Sequence, residues 1–125
     1  MNLNQVTLPS KDLDKSVKFY KKLGFNLIVD ALPNYARFEC PDGDSSFSLH
    51  KVEELISNSG VSIYFEIQEI DQKVNELVKK GIQFDEAPID KGWLWRESRL
   101  KDPDGNQLIL FYGGKNRLNP TWRIN

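Results

Sequence analysis

His50 is the only histidine among the 125 residues, and so the one side chain whose ordinary pKa suits general acid–base work near neutrality. With Glu66 or Tyr64 as an orienting neighbour, His50 and Glu66 become the candidate catalytic pair; no further catalytic role is assigned. No Ser–His–Asp spacing is readable, and Ser46 and Ser48 read as hydrogen-bonding groups rather than nucleophiles. The stretch Gly92-Trp93-Leu94-Trp95-Arg96 sets two indoles beside a guanidinium, a combination suited to stacking and anion pairing. The same tryptophans would also suit a subunit interface or a seat for the C-terminal tail. The parity of that strand is ambiguous, because Leu94 and Leu100 share the face of Arg96. Cys40 is the only cysteine, which excludes an internal disulfide and a Cys-rich zinc cluster. It reads as a small apolar side chain in a strand next to a turn. No glycine-rich phosphate loop is present.

The elements that must position these residues occur twice. Asp12-Leu13-Asp14-Lys15-Ser16-Val17 matches Glu69-Ile70-Asp71-Gln72-Lys73-Val74 at an offset of 57, the interval from Asp14 to Asp71, and the register holds to Gly24-Phe25 and Gly81-Ile82. Leu13, Val17 and Tyr20, then Ile70, Val74, Leu77 and Val78, give each copy one apolar helical stripe. Acidic residues sit at the helix starts, Ser10 is the expected N-cap, and Gly24 and Gly81 follow the last turns. Downstream, Pro41-Asp42-Gly43-Asp44 parallels Pro103-Asp104-Gly105-Asn106, each a turn before a strand. Helices are expected over 11–23 and 70–80, and strands near 3–8, 25–31, 34–40, 46–51, 61–67, 82–86, 94–101 and 107–112. The reading is α+β: one domain over 1–125, with module one at 1–52, a linker at 53–60 broken by Asn58-Ser59-Gly60, module two at 61–112 and a tail at 113–125. Gly113-Gly114 is the expected hinge of that tail and Trp122 its anchor on the body or on a partner.

Strand alternation assigns faces. Val61, Ile63, Phe65 and Ile67 turn to the helix, leaving Ser62, Tyr64 and Glu66 on the opposite, concave side; Val6 and Leu8 against Gln5 and Thr7 follow by the offset. Ala36, Phe38, Cys40, Phe47 and Leu49 turn to the helix, leaving Tyr35, Arg37, Glu39, Ser46, Ser48 and His50. A wall of such residues suits a polar small molecule.

Composition narrows the partners. With 39% hydrophobic and 28% charged residues and a net charge of −1, the chain reads as globular, with no basic footprint for nucleic acid or an anionic membrane. Its start lacks a signal-peptide pattern and no apolar run approaches membrane length, so a cytoplasmic location is expected.

Leu8 to Phe25 resembles the opening of the vicinal-oxygen-chelate (glyoxalase/bleomycin resistance/dioxygenase) superfamily, and Asp102-Pro103-Asp104-Gly105-Asn106 resembles its turn before the last strand, so that the likeness spans residues 3–112. It implies two βαβββ modules forming an open barrel-like sheet with helices outside, and by analogy a homodimer. Many enzymes of that family hold a divalent metal with four side chains, typically His, Gln or Glu. Carried over, those positions fall on Gln5, Ser62, Ile109 and either Ser48 by face parity or Phe47 by gapless alignment of the turns. Only Gln5 is a good ligand, so no metal and no other cofactor is expected; a site rebuilt from His50, Glu66 and Glu39 is the alternative. The leading expectation is a metal-independent small-molecule binding protein. Its expected ligand surface is Gln5, Tyr35, Arg37, Ser48, His50, Ser62, Tyr64, Trp93, Trp95, Arg96 and Phe111. The alternatives are a lyase or isomerase using His50 with Glu66 or the rebuilt site, and an interaction module presenting Trp93, Trp95 and Trp122.

Overall fold

A computed structural model describes residues 1–55 and 60–124; Asn58 and Ser59 of the expected linker lie outside the described residues. The chain divides into two compact units, Met1–Ser59 with Asp102–Asn106, and Gly60–Lys101 with Gln107–Asn125.

The first unit runs β1 (Gln5–Ser10), α1 (Leu13–Leu23), β2 (Asn26–Ala31), β3 (Tyr35–Glu39) and β4 (Ser46–Lys51). Its sheet has the order β1-β4-β3-β2, with β1 and β4 parallel and the other neighbours antiparallel. The helix starts at Asp12, not Ser10: the Asp12 carboxylate accepts from the Lys15 amide at 3.2 Å. Ser10 is instead buried at the end of β1, its hydroxyl 3.2 Å from that of Ser16. Gly24 ends the helix at φ 108°, where a side chain would be strained. Leu13, Val17, Tyr20 and Leu23 of α1 are buried, as are Leu8, Ala36, Phe38, Phe47 and Leu49 of the sheet. Tyr20 and Phe47 lie 4.8 Å apart between ring centroids, and Phe38 stacks on Phe47 at 5.1 Å. Cys40 falls just beyond β3 and is only partly covered.

The segment Asp102–Asn106 belongs to this unit and is far more than a turn. Asp102 is buried; its carboxylate accepts from the Tyr20 hydroxyl at 2.6 Å, the Asp104 and Asn106 amides at 2.9 Å each, and Asn106 Nδ2 at 2.8 Å. Asp104 accepts from the Ser16 hydroxyl at 2.6 Å and the Lys11 amide at 2.8 Å. The motif thereby holds the start of α1.

The second unit repeats the order with β5 (Ser62–Glu66), α2 (Ile70–Lys79), β6 (Glu86–Asp90), β7 (Arg96–Lys101) and β8 (Gln107–Tyr112), followed by a short α3 (Lys115–Leu118). The sheet order, β5-β8-β7-β6, is that of the first sheet. Ile70, Val74 and Leu77 of α2 are buried, as are Leu100, Leu108 and Leu110 of the sheet. Two expected strands shift. Residues 82–85 are irregular and β6 begins at Glu86, because the ladder opens only where the Asp85 amide donates to the Arg99 carbonyl at 2.7 Å. Pro88 sits in this strand, which is tolerable because β6 is an edge. The strand expected over 94–101 begins at Arg96: Gly92 to Leu94 form a turn in which Leu94 has φ 67° and its amide donates to the Lys91 carbonyl. No helix among the described residues is long and apolar enough to cross a membrane.

Candidate functional site

In the first unit, the sheet face opposite α1 collects most of the expected polar wall. The ladders place Gln5 beside Ser46, Thr7 beside Ser48, Ser48 beside Arg37, and His50 beside Tyr35. The side chains are already connected: Ser46 donates to Gln5 Oε1 at 2.8 Å, Thr7 and Ser48 share a hydrogen bond of 2.8 Å, and Arg37 Nε donates to the Tyr35 hydroxyl at 2.9 Å. Hydrogen bonding to Ser48, then to Arg37 with its charge, and to Gln5, holds the Tyr35 phenol below its ordinary pKa against a smaller opposing effect of burial. Ser48, beside Arg37 and Thr7 on this face, is fully buried, whereas His50, near the end of β4, is exposed.

In the second unit, Ser62, Tyr64 and Glu66 share the face opposite α2 with Ile109 and Phe111. The expected aromatic surface there is largely filled by itself. Trp95 stacks on Phe111 at 4.5 Å between centroids, and Tyr64 meets both rings edge-on at 5.9 and 5.5 Å. Phe111 is therefore buried and not open to a ligand. Glu66, expected from the sequence to pair with His50, is engaged elsewhere: Oε2 accepts from the Gly113 and Gly114 amides at 2.9 Å each, and Oε1 lies 3.4 Å from Arg117 Nε. Gly113-Gly114 is consequently a held segment rather than a free hinge. A side chain at Gly113 would come within 2.9 Å of Trp95 Nε1, which donates to the Asn116 carbonyl at 3.2 Å. These contacts secure the tail, while Trp122, its expected anchor, is exposed.

Trp93 and Trp95 do not share a strand face, since Trp93 lies in the turn before β7. Arg96 projects toward α2, where Asp71 receives it at 2.8 and 2.9 Å and Asp90 at 3.0 Å; it stands apart from Glu97 and Arg99 on the other face. The Arg96 hydrogen bond also holds the Asp71 carboxyl below its ordinary pKa. Sequence reasoning missed Glu97. It is fully buried, accepts from Trp93 Nε1 at 2.6 Å and lies 3.5 Å from Arg99 Nη2. Its alternation with Arg99 along β7 was the available signal, obscured by the unsettled parity of that strand.

The β1–β4 and β5–β8 ladders settle which residue corresponds to Ile109. Ile109 pairs with Tyr64, and the equivalent pairing of Thr7 is with Ser48, not Phe47. The four positions carried over from the family's metal enzymes are then Gln5, Ser48, Ser62 and Ile109. One is a hydrocarbon, two are hydroxyls, of which Ser48 is tied to Thr7, and the single amide oxygen already accepts from Ser46. That donor set does not fit a divalent ion. Among the described residues, no three His, Cys, Asp or Glu side chains are grouped to hold a metal.

Comparison with known proteins agrees with the architecture. The family model of the Glyoxalase/Bleomycin resistance protein/Dioxygenase superfamily matches residues 2–110. A trivalent organoarsenical cleaving enzyme from Bacillus sp. (strain MD1) is 31% identical over 124 residues, covering 90% of this chain and 73% of that protein. The uncharacterized protein YraH of Bacillus subtilis (strain 168) is 27% identical, covering 89% and 98%. Among solved structures, a bleomycin-binding protein complexed with bleomycin superposes with a TM-score of 0.75 at 22% identity, covering 91% and 100% of the two chains. A superfamily member from Nocardioides gives 0.73 at 29% identity, covering 90% and 83%. With this fold, this strand order and a family match over most of its length, the chain belongs to the Glyoxalase/Bleomycin resistance protein/Dioxygenase superfamily.

Proposed function

We propose that this protein binds a small organic molecule without a metal ion, on the first unit's polar sheet face. The observation that carries the reading is the connected set Gln5–Ser46, Thr7–Ser48 and Arg37–Tyr35, hydrogen-bonding groups already ordered on a rigid sheet. The likeness to a bleomycin-binding protein supports binding as an activity of this fold, and the poor donor set supports metal independence. A cytoplasmic homodimer is part of the same proposal; light scattering of the purified protein at twice the chain mass would support the dimer.

The test is thermal melting with chelator, then with Ni²⁺, Zn²⁺, Mn²⁺ or Fe²⁺, then with a library of organic compounds. Chelator and metals are expected to leave the midpoint unchanged. An organic ligand at a hundredfold excess over its Kd is expected to add about 2.7 kcal/mol, a rise of several degrees. A metal that raises the midpoint, with chelator lowering it, overturns metal independence.

The lyase or isomerase alternative has less support, because the Glu66 carboxylate is occupied by two amides and Arg117. Glu66→Gln is expected to accelerate hydrogen exchange at the Gly113 and Gly114 amides while leaving ligand affinity within about twofold. Loss of binding or turnover with unchanged exchange would restore Glu66 to a functional role. Arsenical cleavage, the activity of one relative, is also less supported: trivalent arsenic seeks thiolates, and Cys40 is the only thiol, its pKa raised by burial and by Asp42.

A further inference from the structure

Five arginines occur in the sequence, and they are not equivalent. Arg96 is paired with Asp71 and Asp90, Arg99 with Glu86 and Glu97, and Arg117 with Glu66. Arg123 lies exposed in the tail beside Asn119. Arg37 alone is half-buried in the middle of a sheet and has no carboxylate ion pair among the described residues. The carboxylate two residues along the same strand, Glu39, accepts instead from Asn26 Nδ2 at 3.4 Å.

A partly desolvated guanidinium without a counter-ion is costly, and structures keep such a group where an anion will complete it. Arg37 is also held in place. Its Nε is spent on the Tyr35 hydroxyl at 2.9 Å, with the guanidinium carbon 5.5 Å from that ring's centroid. The edge formed by the two terminal nitrogens is then left for a partner. That edge offers two parallel N–H donors, the geometry that matches two oxygens of a carboxylate or phosphate. The neutral groups of this face, Gln5, Thr7, Ser46 and Ser48, bond in pairs, Ser46 to Gln5 and Thr7 to Ser48, and the one carboxylate on it, Glu39, is turned to Asn26.

We infer that the ligand of this face is a small organic anion whose carboxylate or phosphate oxygens are held by the terminal nitrogens of Arg37. The inference rests on the reading that this face binds a small molecule, and it narrows the ligand's class.

The test titrates the full chain with benzoate and phenyl phosphate, and with neutral benzamide as the matched control. Calorimetry gives affinity, and the ¹⁵N-labelled arginine side-chain signals report the contact. The two anions separate carboxylate from phosphate recognition. Expected results are a shift of the Arg37 signal with at least one anion, none with benzamide, and an affinity at least about tenfold weaker in Arg37→Gln. Arg37→Lys, which keeps charge without the fork, is expected to recover part of the loss. Both variants must melt close to the parent, and the lysine variant keeps the test valid should glutamine disturb the sheet. If neither anion binds while neutral library compounds shift signals of this face, the anion inference fails and small-molecule binding stands. Equal binding of benzoate and benzamide, insensitive to Arg37→Gln, likewise overturns the anion inference and leaves small-molecule binding intact. If no compound of either kind engages the face, both fail.

Discussion

Asp102→Ala is expected to cost about 3 kcal/mol or more. The substitution removes the acceptor for four donors: the buried Tyr20 hydroxyl, the Asp104 and Asn106 amides, and Asn106 Nδ2. Leaving a buried donor unmade costs more than the hydrogen bond itself contributed. Without the carboxylate that accepts the Asp104 and Asn106 amides, the turn would also hold Asp104 less firmly, and Asp104 receives the Ser16 hydroxyl and the Lys11 amide at the start of α1. Urea unfolding monitored by circular dichroism measures the cost; a loss under about 1 kcal/mol would show the motif to be only a turn. Tyr20→Phe, which removes one donor, is expected to cost about 1.5–3 kcal/mol.

The pH dependence distinguishes charge from packing. Burial pushes the Asp102 carboxyl above its ordinary 3.8, with its hydrogen bonds pulling the other way. A carboxyl raised on folding contributes stability that is full below 3.8 and is lost as pH rises through the folded-state value. Asp102→Asn cannot titrate, so its deficit relative to the parent is expected to widen as pH falls through the raised value toward 3.8. A deficit that narrows over that window would mean that hydrogen bonding, rather than burial, sets this carboxyl.

Trp95→Ala should be comparably severe in the second unit, at about 3 kcal/mol. It removes the stack on Phe111, the edge contact with Tyr64 and the hydrogen bond to the Asn116 carbonyl. Trp95→Phe keeps the stack and loses the donor, so about half the effect is expected to return. Gly113→Ala would press a methyl group against the same ring and is expected to cost about 1–3 kcal/mol by overpacking. Tryptophan fluorescence and hydrogen exchange in residues 113–118 would follow these changes. An unaltered tail after Trp95→Ala would show that Glu66 alone secures it.

How far the sequence carried differs between the two halves. The doubled pattern of acidic start, apolar stripe and glycine stop specifies both helices, because capping and helical periodicity are local properties of the chain. Alternation likewise sorts Tyr35, Arg37, Ser48 and His50 from Ala36, Phe38, Phe47 and Leu49, since a strand's side chains can only point to opposite faces. The family resemblance was readable for the same reason, its motifs being contiguous. Local pattern could not say where β6 and β7 begin. The ladder opening at Asp85 and the turn at Leu94 depend on partners across the sheet. This shifted Trp93 off the strand and gave Arg96 to Asp71 and Asp90. Nor could it say that Asp102 and Asp104 bind Tyr20 and Ser16, more than eighty positions earlier, or that Glu66 grips the tail. Those partners are set by which distant groups folding buries together, and only the tertiary structure brings a buried carboxylate to the donors it requires.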